Sequence, residues 1–242
     1  MEISFKKALI APFSDENWLS KVGIGVALFI PALMASLAFG EKNWTVALLS
    51  FIAAFFMGGY SWVVMHNEIN NIENELPSWD VIKIAYLALQ GLVISLGYVL
   101  LSVPIILVFT ALMFSSKSLL VIFATIGAII AILWYLILLP IAQTLFAKDF
   151  EITEAFNFQK VIAIVKNSWK YYLLAIFYSF LIAIIFAFSF GILSAIIGVF
   201  NKSLAEFIMQ ISQILIIIAN ANLYGQTFKK ATENIEKNNL AV

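Results

Sequence analysis

Residues 171–200 read YYLLAIFYSFLIAIIFAFSFGILSAIIGVF, thirty positions without a charge. About 20 mainly apolar residues are enough for a helix to cross the hydrocarbon core of a bilayer. A soluble helix of this length would carry a polar face, and this stretch has none. It therefore predicts a transmembrane helix, longer than one crossing needs. Such a helix tilts, kinks or protrudes.

Working outward, five further runs pass the same test. The six lie at about 19–39, 44–65, 84–114, 119–146, 171–200 and 204–224. Composition agrees: the chain has 242 residues, 63% hydrophobic and 12% charged, with mean hydropathy +1.00 and 22 Phe. One globule of this size cannot hide so much apolar surface from water. The expected fold is all-α, a polytopic bundle of six transmembrane helices arranged as three hairpins. One transmembrane domain is expected over 1–228, with a short charged tail over 229–242. No cleavable signal peptide is expected, because the first apolar run follows Asp15, Glu16 and Lys21 and is too long for a signal core.

Tight turns join the runs in pairs: Gly40-Glu41-Lys42-Asn43, Ser115-Ser116-Lys117-Ser118 and Asn201-Lys202-Ser203. Gly40 suits a helix C-cap. Ser203 with Glu206 fits a capping box opening the last helix. Eleven of the lysines flank the other side, at the termini and in the second and fourth connections, and three sit in the turns. Lysine enrichment marks the cytoplasmic side, so both termini are expected there. Kinks are expected at Pro104 and Gly191.

The cytoplasmic connections carry a second pattern. Phe158, Ile162, Val165 and Trp169 recur at helical spacing, with Lys160, Asn167 and Lys170 opposite. That predicts an amphipathic helix lying in the headgroup plane. Phe5, Leu9 and Phe13 against Lys6 and Lys7 predict a similar one. The stretch after the second run is shorter and acidic, with Glu68, Glu73 and Glu75. Trp18, Trp79 and Trp169 each precede an odd-numbered run, as interfacial anchors. Three copies of one unit would place them so, and so would interfacial preference alone.

Two short signatures point to a family. Phe13-Ser14-Asp15-Glu16-Asn17-Trp18-Leu19-Ser20-Lys21 reads F-x-D-x-x-W-L-x-K, and Glu75-Leu76-Pro77-Ser78-Trp79-Asp80 contains L-P-x-W-D. With them the chain resembles the prokaryotic polytopic membrane proteins of the domain-of-unknown-function family numbered 4013. In layout it is also similar to the membrane domain beside some bacterial glycerophosphodiester phosphodiesterases. The family often follows the second Trp with repeated acidic residues, whereas here Val81 follows Asp80. The resemblance implies a prokaryotic plasma membrane and brings no activity with it.

Candidate chemistry is sparse. Glu206, Gln210, Gln213 and Asn220 share one face of the last run, with Gln90 and Gln143 as possible polar partners. Polar groups at membrane depth either line a path or bond across helices. Gly91 with Ser95, and Ser194 with Gly198, have the small-residue spacing of close helix packing. Pro104 and Pro140 are candidate broken-helix positions. His66 is the only histidine and lacks the companions of a tight metal site, so it is read as a cap at a helix end. The carboxylates Asp15/Glu16 and Asp149/Glu151/Glu154 are read as solvated helix ends. There is no cysteine, no arginine and no nucleophile or phosphate-loop motif. Zero net charge argues against a nucleic-acid partner, which needs a concentrated basic surface. The expectation is a non-enzymatic protein without cofactor or metal, embedded in the lipid bilayer: a scaffold, assembly factor or subunit that meets a membrane-protein partner or its own copies. The competing expectation is a carrier or channel using the polar stripe of the last helix.

Overall fold

A computed structural model describes residues 3–40, 43–72, 76–113 and 118–237, with no side-chain detail for 104–109, 111–113, 118–120, 123 and 130–134. The expected turn residues Glu41, Lys42 and 115–117, with Glu73 and Glu75, lie outside the described residues. Every regular element among the described residues is a helix. The elements are α1 (Phe5–Ile10) with a 3-10 turn (Ala11–Phe13), α2 (Trp18–Ala27), α3 (Ile30–Phe39), α4 (Trp44–Ile69) and α5 (Val81–Met113). Then follow α6 (Ser118–Asp149), α7 (Ile152–Ala155), α8 (Phe158–Gly198) and α9 (Lys202–Lys237).

Five segments among the described residues are long and apolar enough to cross a membrane: Trp18–Phe39, Trp44–Ile69, Val81–Val103, Phe158–Gly198 and Lys202–Glu236. Caps set the ends. Asn43 accepts from the Thr45 N–H at 2.9 Å and Asn157 from the Lys160 N–H at 3.3 Å. Gly40, at φ +84°, ends α3 as expected. The expected capping box of α9 does not form. Asn201 takes the cap instead, accepting from the Leu204 N–H at 3.0 Å.

The first run is interrupted at Leu28–Phe29. The cause is Pro31, which has no N–H for the Ala27 carbonyl and whose ring crowds it. α5, α6 and α8 continue through positions 104, 140 and 191, so none of the three is broken there.

Two expectations about the long helices need correction. The segment starting at Phe158 is not a separate interfacial helix. It forms one continuous 41-residue α8, about 60 Å long at about 1.5 Å per residue. Its buried stripe is Val161, Ile164, Val165, Ser168, Tyr172, Ala175, Ile182 and Phe186. Most of these follow heptad spacing, and they pack on α9. Of the predicted stripe only Val165 faces inward, while Phe158, Ile162 and Trp169 are exposed. The second correction concerns the tail. α9 runs on to Lys237 with Phe228, Ala231 and Ile235 buried, so 229–237 is packed helix. Residues 238–242 lie outside the described ones.

α9 is the central element, touching α8, α4, α6, α1, α2 and α3. It is buried almost all round between Ile214 and Phe228. α8, the more apolar of the two, exposes most of its circumference. In water this ordering would be reversed. With lipid as solvent, the outermost helix is apolar on every side.

Candidate functional site

The polar stripe of the last run does not form one lining. Glu206 and Gln210 border a cavity of about 430 Å³ enclosed by α3, α4 and the start of α9. Asn220 borders a separate groove of about 460 Å³ between α4, α5 and α9, and Gln143 joins it there. Gln213 is exposed on the outside of the bundle. Between the two cavities α9 is packed shut by Ile214, Leu215, Ile218 and Ala219. Gln90 is apart from the stripe and donates to the Tyr86 hydroxyl at 3.0 Å. Of the proposed polar partners, then, the structure unites only Gln143 with Asn220.

The small-residue pairs do pack closely. A side chain at Gly91 would overlap the Trp62 indole on α4. Ser194 donates to the Ala205 carbonyl at 2.9 Å, joining α8 to α9 beside Gly198.

The densest polar chemistry lies at the other end of the bundle, where the termini meet. Glu68, expected in a short acidic stretch, is 7% exposed. Lys7 donates to both of its carboxylate oxygens at 2.8 Å. Lys229 donates to Oε1 at 3.1 Å and to the Glu68 carbonyl at 2.7 Å. Asn222 donates to Oε2 at 2.8 Å. Gln226 donates to Asn222 at 2.7 Å and accepts from the Ser4 N–H at 2.9 Å. One buried carboxylate thus ties α1, α4 and α9 together. A cavity of about 240 Å³ opens beside it, lined in part by Lys7, Ser14, Asn67 and Asn222. The lysine partners stand 61 and 161 residues from Glu68 in the sequence, so no local pattern marks the site.

The two signatures meet each other. Lys21 bonds both the Asp15 carboxylate and the Leu76 carbonyl, and Trp79 donates its indole N–H to the Lys21 carbonyl at 2.8 Å. Tyr60 stacks on Trp79 with ring centres 4.3 Å apart and donates to the Pro77 carbonyl at 3.0 Å. Asp80 caps α5, accepting from the Lys83 N–H at 3.1 Å. Phe13 meets Trp18 edge-on at 5.0 Å. Trp79 is thus a hydrogen-bonded wedge between elements, Trp18 is half-buried, and Trp169 is exposed. Asp15 is not a solvated helix end but 4% exposed.

Burial alone pushes the Asp15 carboxyl up. The bond and charge of Lys21 and the Asn17 N–H outweigh burial and hold the pKa below the ordinary 3.8. A lowered carboxylate pKa contributes stability above the unfolded value and loses it as pH falls toward the folded one. The thermal midpoint of the native chain should therefore exceed that of Asp15→Asn by a constant gap above about pH 5. The gap should shrink below about pH 4. Midpoints of both proteins across pH 7 to about 3 test this; a gap that widens in acid would rule out the paired carboxylate.

A third clamp surrounds the histidine. His66 donates from Nδ1 to the Ala147 carbonyl at 2.8 Å and stacks on Phe150 at 4.3 Å. Lys83 lies over the other ring at 5.3 Å. Phe150 sits at φ +57°, a conformation costly for a bulky residue and held here by this packing. His66 therefore ends α6 against α4, as a cap. Among the described residues no three His, Cys, Asp or Glu side chains gather around a metal position. Glu154 pairs with Lys160 at 2.7 Å.

Residues 45–197, more than half of the chain, match the family described as Protein of unknown function (DUF4013). The match takes in the second signature and begins after the first. Nothing in it links the chain to phosphodiesterase domains. No curated protein and no solved structure matches the chain.

Proposed function

The chain belongs to the DUF4013 family of proteins of unknown function, and we propose that this integral membrane protein works without catalysis, as a scaffold, assembly factor or subunit of a membrane complex. The supporting observation is where its polar side chains go. Asp15 and Glu68, the buried carboxylates among the described residues, are both neutralised by lysines of the same chain. The signature residues are committed to holding the connections in place. A catalytic carboxylate needs a free edge as well as a pocket, and lysine and amide donors occupy the oxygens of Glu68 while Lys21 and the Asn17 N–H occupy those of Asp15.

What the fold offers outward is helix surface. α8 outruns a hydrocarbon core of about 30 Å and leaves Phe158, Ile162 and Trp169 exposed. Exposed apolar positions near a membrane boundary serve lipid or another membrane protein. Expected result: a tagged chain drawn from native membranes in mild detergent brings a stoichiometric protein partner. Recovery of the chain alone, under conditions that preserve known complexes, would count against this role.

The reading includes six crossings, paired as three hairpins, with both termini in the cytoplasm. The 32 residues of α6 are enough for the remaining crossing. The sequence has no cysteine, so single-cysteine variants have no background. Lys117→Cys should react with an impermeant maleimide from outside intact cells, and Glu73→Cys only after the cells are opened. Equal reactivity of the two from one side would refute six crossings.

The carrier reading has less support. Its stripe is divided by the packed Ile214–Ala219 segment, and its two halves open to different cavities.

A further inference from the structure

The cavity at the turn end of the bundle has a character that packing does not explain. It lies where α3 turns into α4 and α9 begins, with Phe29, from the break in the first run, on its wall. Its polar lining is Glu206, Gln210, Ser36 and Ser50, with Lys202 supplying the one ammonium. The Gln210 Oε1 atom is shut off from solvent and has no hydrogen-bond partner. A buried, unpaired amide oxygen is unfavourable, so it is a position where a donor is missing. Glu206 stands one helical turn away on the same wall. Its ion pair is a long one, 3.7 Å to Lys202, whose side chain is 75% exposed. Such a pair is weak and readily exchanged. Ser36 and Ser50 complete the lining from α3 and α4.

The volume, about 430 Å³, falls within the range of small-molecule sites. It is too roomy for a bare metal ion, which needs oxygens at about 2.0–2.6 Å on several sides. A carboxylate repels anions. What fits a carboxylate, an amide oxygen and two hydroxyls is a compact group with several N–H donors and a positive charge. An ammonium has three such donors and no acceptor.

We propose that this cavity binds a primary ammonium group through Glu206 and Gln210. Two sources share that chemistry: a small free amine, and the headgroup of an aminolipid entering from the adjacent leaflet. The site is independent of the assembly role, and its failure would leave partner capture untouched.

The test uses the full chain in nanodiscs of phosphatidylcholine. Ethanolamine is titrated by calorimetry, with tetramethylammonium as a control of equal charge and no N–H. A parallel sample in nanodiscs containing phosphatidylethanolamine is examined by native mass spectrometry for retained lipid. Saturable ethanolamine binding, absent with tetramethylammonium, identifies a free-amine site. Retention of phosphatidylethanolamine without ethanolamine binding identifies a headgroup site. In either case Glu206→Gln and Gln210→Leu should each weaken binding about tenfold or more, as for a charge-assisted bond. Lys202→Ala, which removes the competing ammonium, should leave binding equal or tighter. Should either variant fail to fold, the Ser36→Ala/Ser50→Ala pair carries the same expectation of weakened binding. No binding in either arm, equal binding of tetramethylammonium, or binding indifferent to the folded variants overturns the proposal.

Discussion

Glu68→Ala should cost about 3–5 kcal/mol of folding stability, the range for removing one partner of a buried ion pair. The size follows from what is left behind. The Lys229 side chain is 12% exposed and would lose its counter-ion. Asn222 would lose its acceptor, and the Gln226–Ser4 chain beyond it would loosen. Lys7, 40% exposed, can turn to solvent and suffers less. Removing Lys229 instead should cost less than removing Glu68, because Lys7 keeps both carboxylate oxygens bonded. Replacing Glu68 and Lys229 together by Leu and Met should recover much of the loss, since an apolar pair brings no unpaired charge. Equilibrium unfolding in one detergent, compared across the four proteins, measures the series. A Glu68→Ala variant within about 0.5 kcal/mol of the native chain would mean that water already screens the network.

Gly59→Ala should also be severe, while Gly58→Ala next to it should be harmless. A Cβ at position 59 would overlap the carbonyl oxygen of Ile84 and stand 2.9 Å from its carbonyl carbon. That obstacle is helix backbone, which cannot rotate aside, so α4 and α5 would have to separate. Overpacking a tight contact costs about 1–3 kcal/mol and sometimes more; an obstacle made of backbone places this variant at the upper end. At position 58 a Cβ meets nothing within 4 Å. There the change gains up to about 1 kcal/mol of helix propensity. Thermal midpoints of the two variants should therefore move apart from the native value in opposite directions. Equal midpoints would show that α4 and α5 do not pack this closely in the membrane.

Both results turn on contacts that sequence reading missed. Glu68 follows His66 at the end of an apolar run, and by composition it belongs with Glu73 and Glu75 in one acidic stretch. Only the approach of α1 and α9, from the two ends of the chain, buries it. The signatures were visible as motifs, but their purpose was not. Nothing local states that Trp79 will donate to Lys21 or that Tyr60 will stack on Trp79. The stripe from Glu206 to Asn220 was legible as one helix face. Its division came from the neighbours, with α3 and α4 flanking one half and α4 and α5 the other.

The sequence by itself determined that this is an all-α integral membrane protein, where its long apolar runs lie, and that Gly40 ends one helix in a tight turn. Those are local properties, because lipid selects for apolar length and a backbone at positive φ selects for glycine. Only the tertiary structure decided which side of α8 faces α9, that α9 continues as packed helix to Lys237, and which lysines meet Glu68. The physical reason is that lipid and protein neighbours are both apolar. A helix such as α8, apolar on every side, has no polar face to reveal which neighbour it meets, and the answer comes from residues distant in the chain.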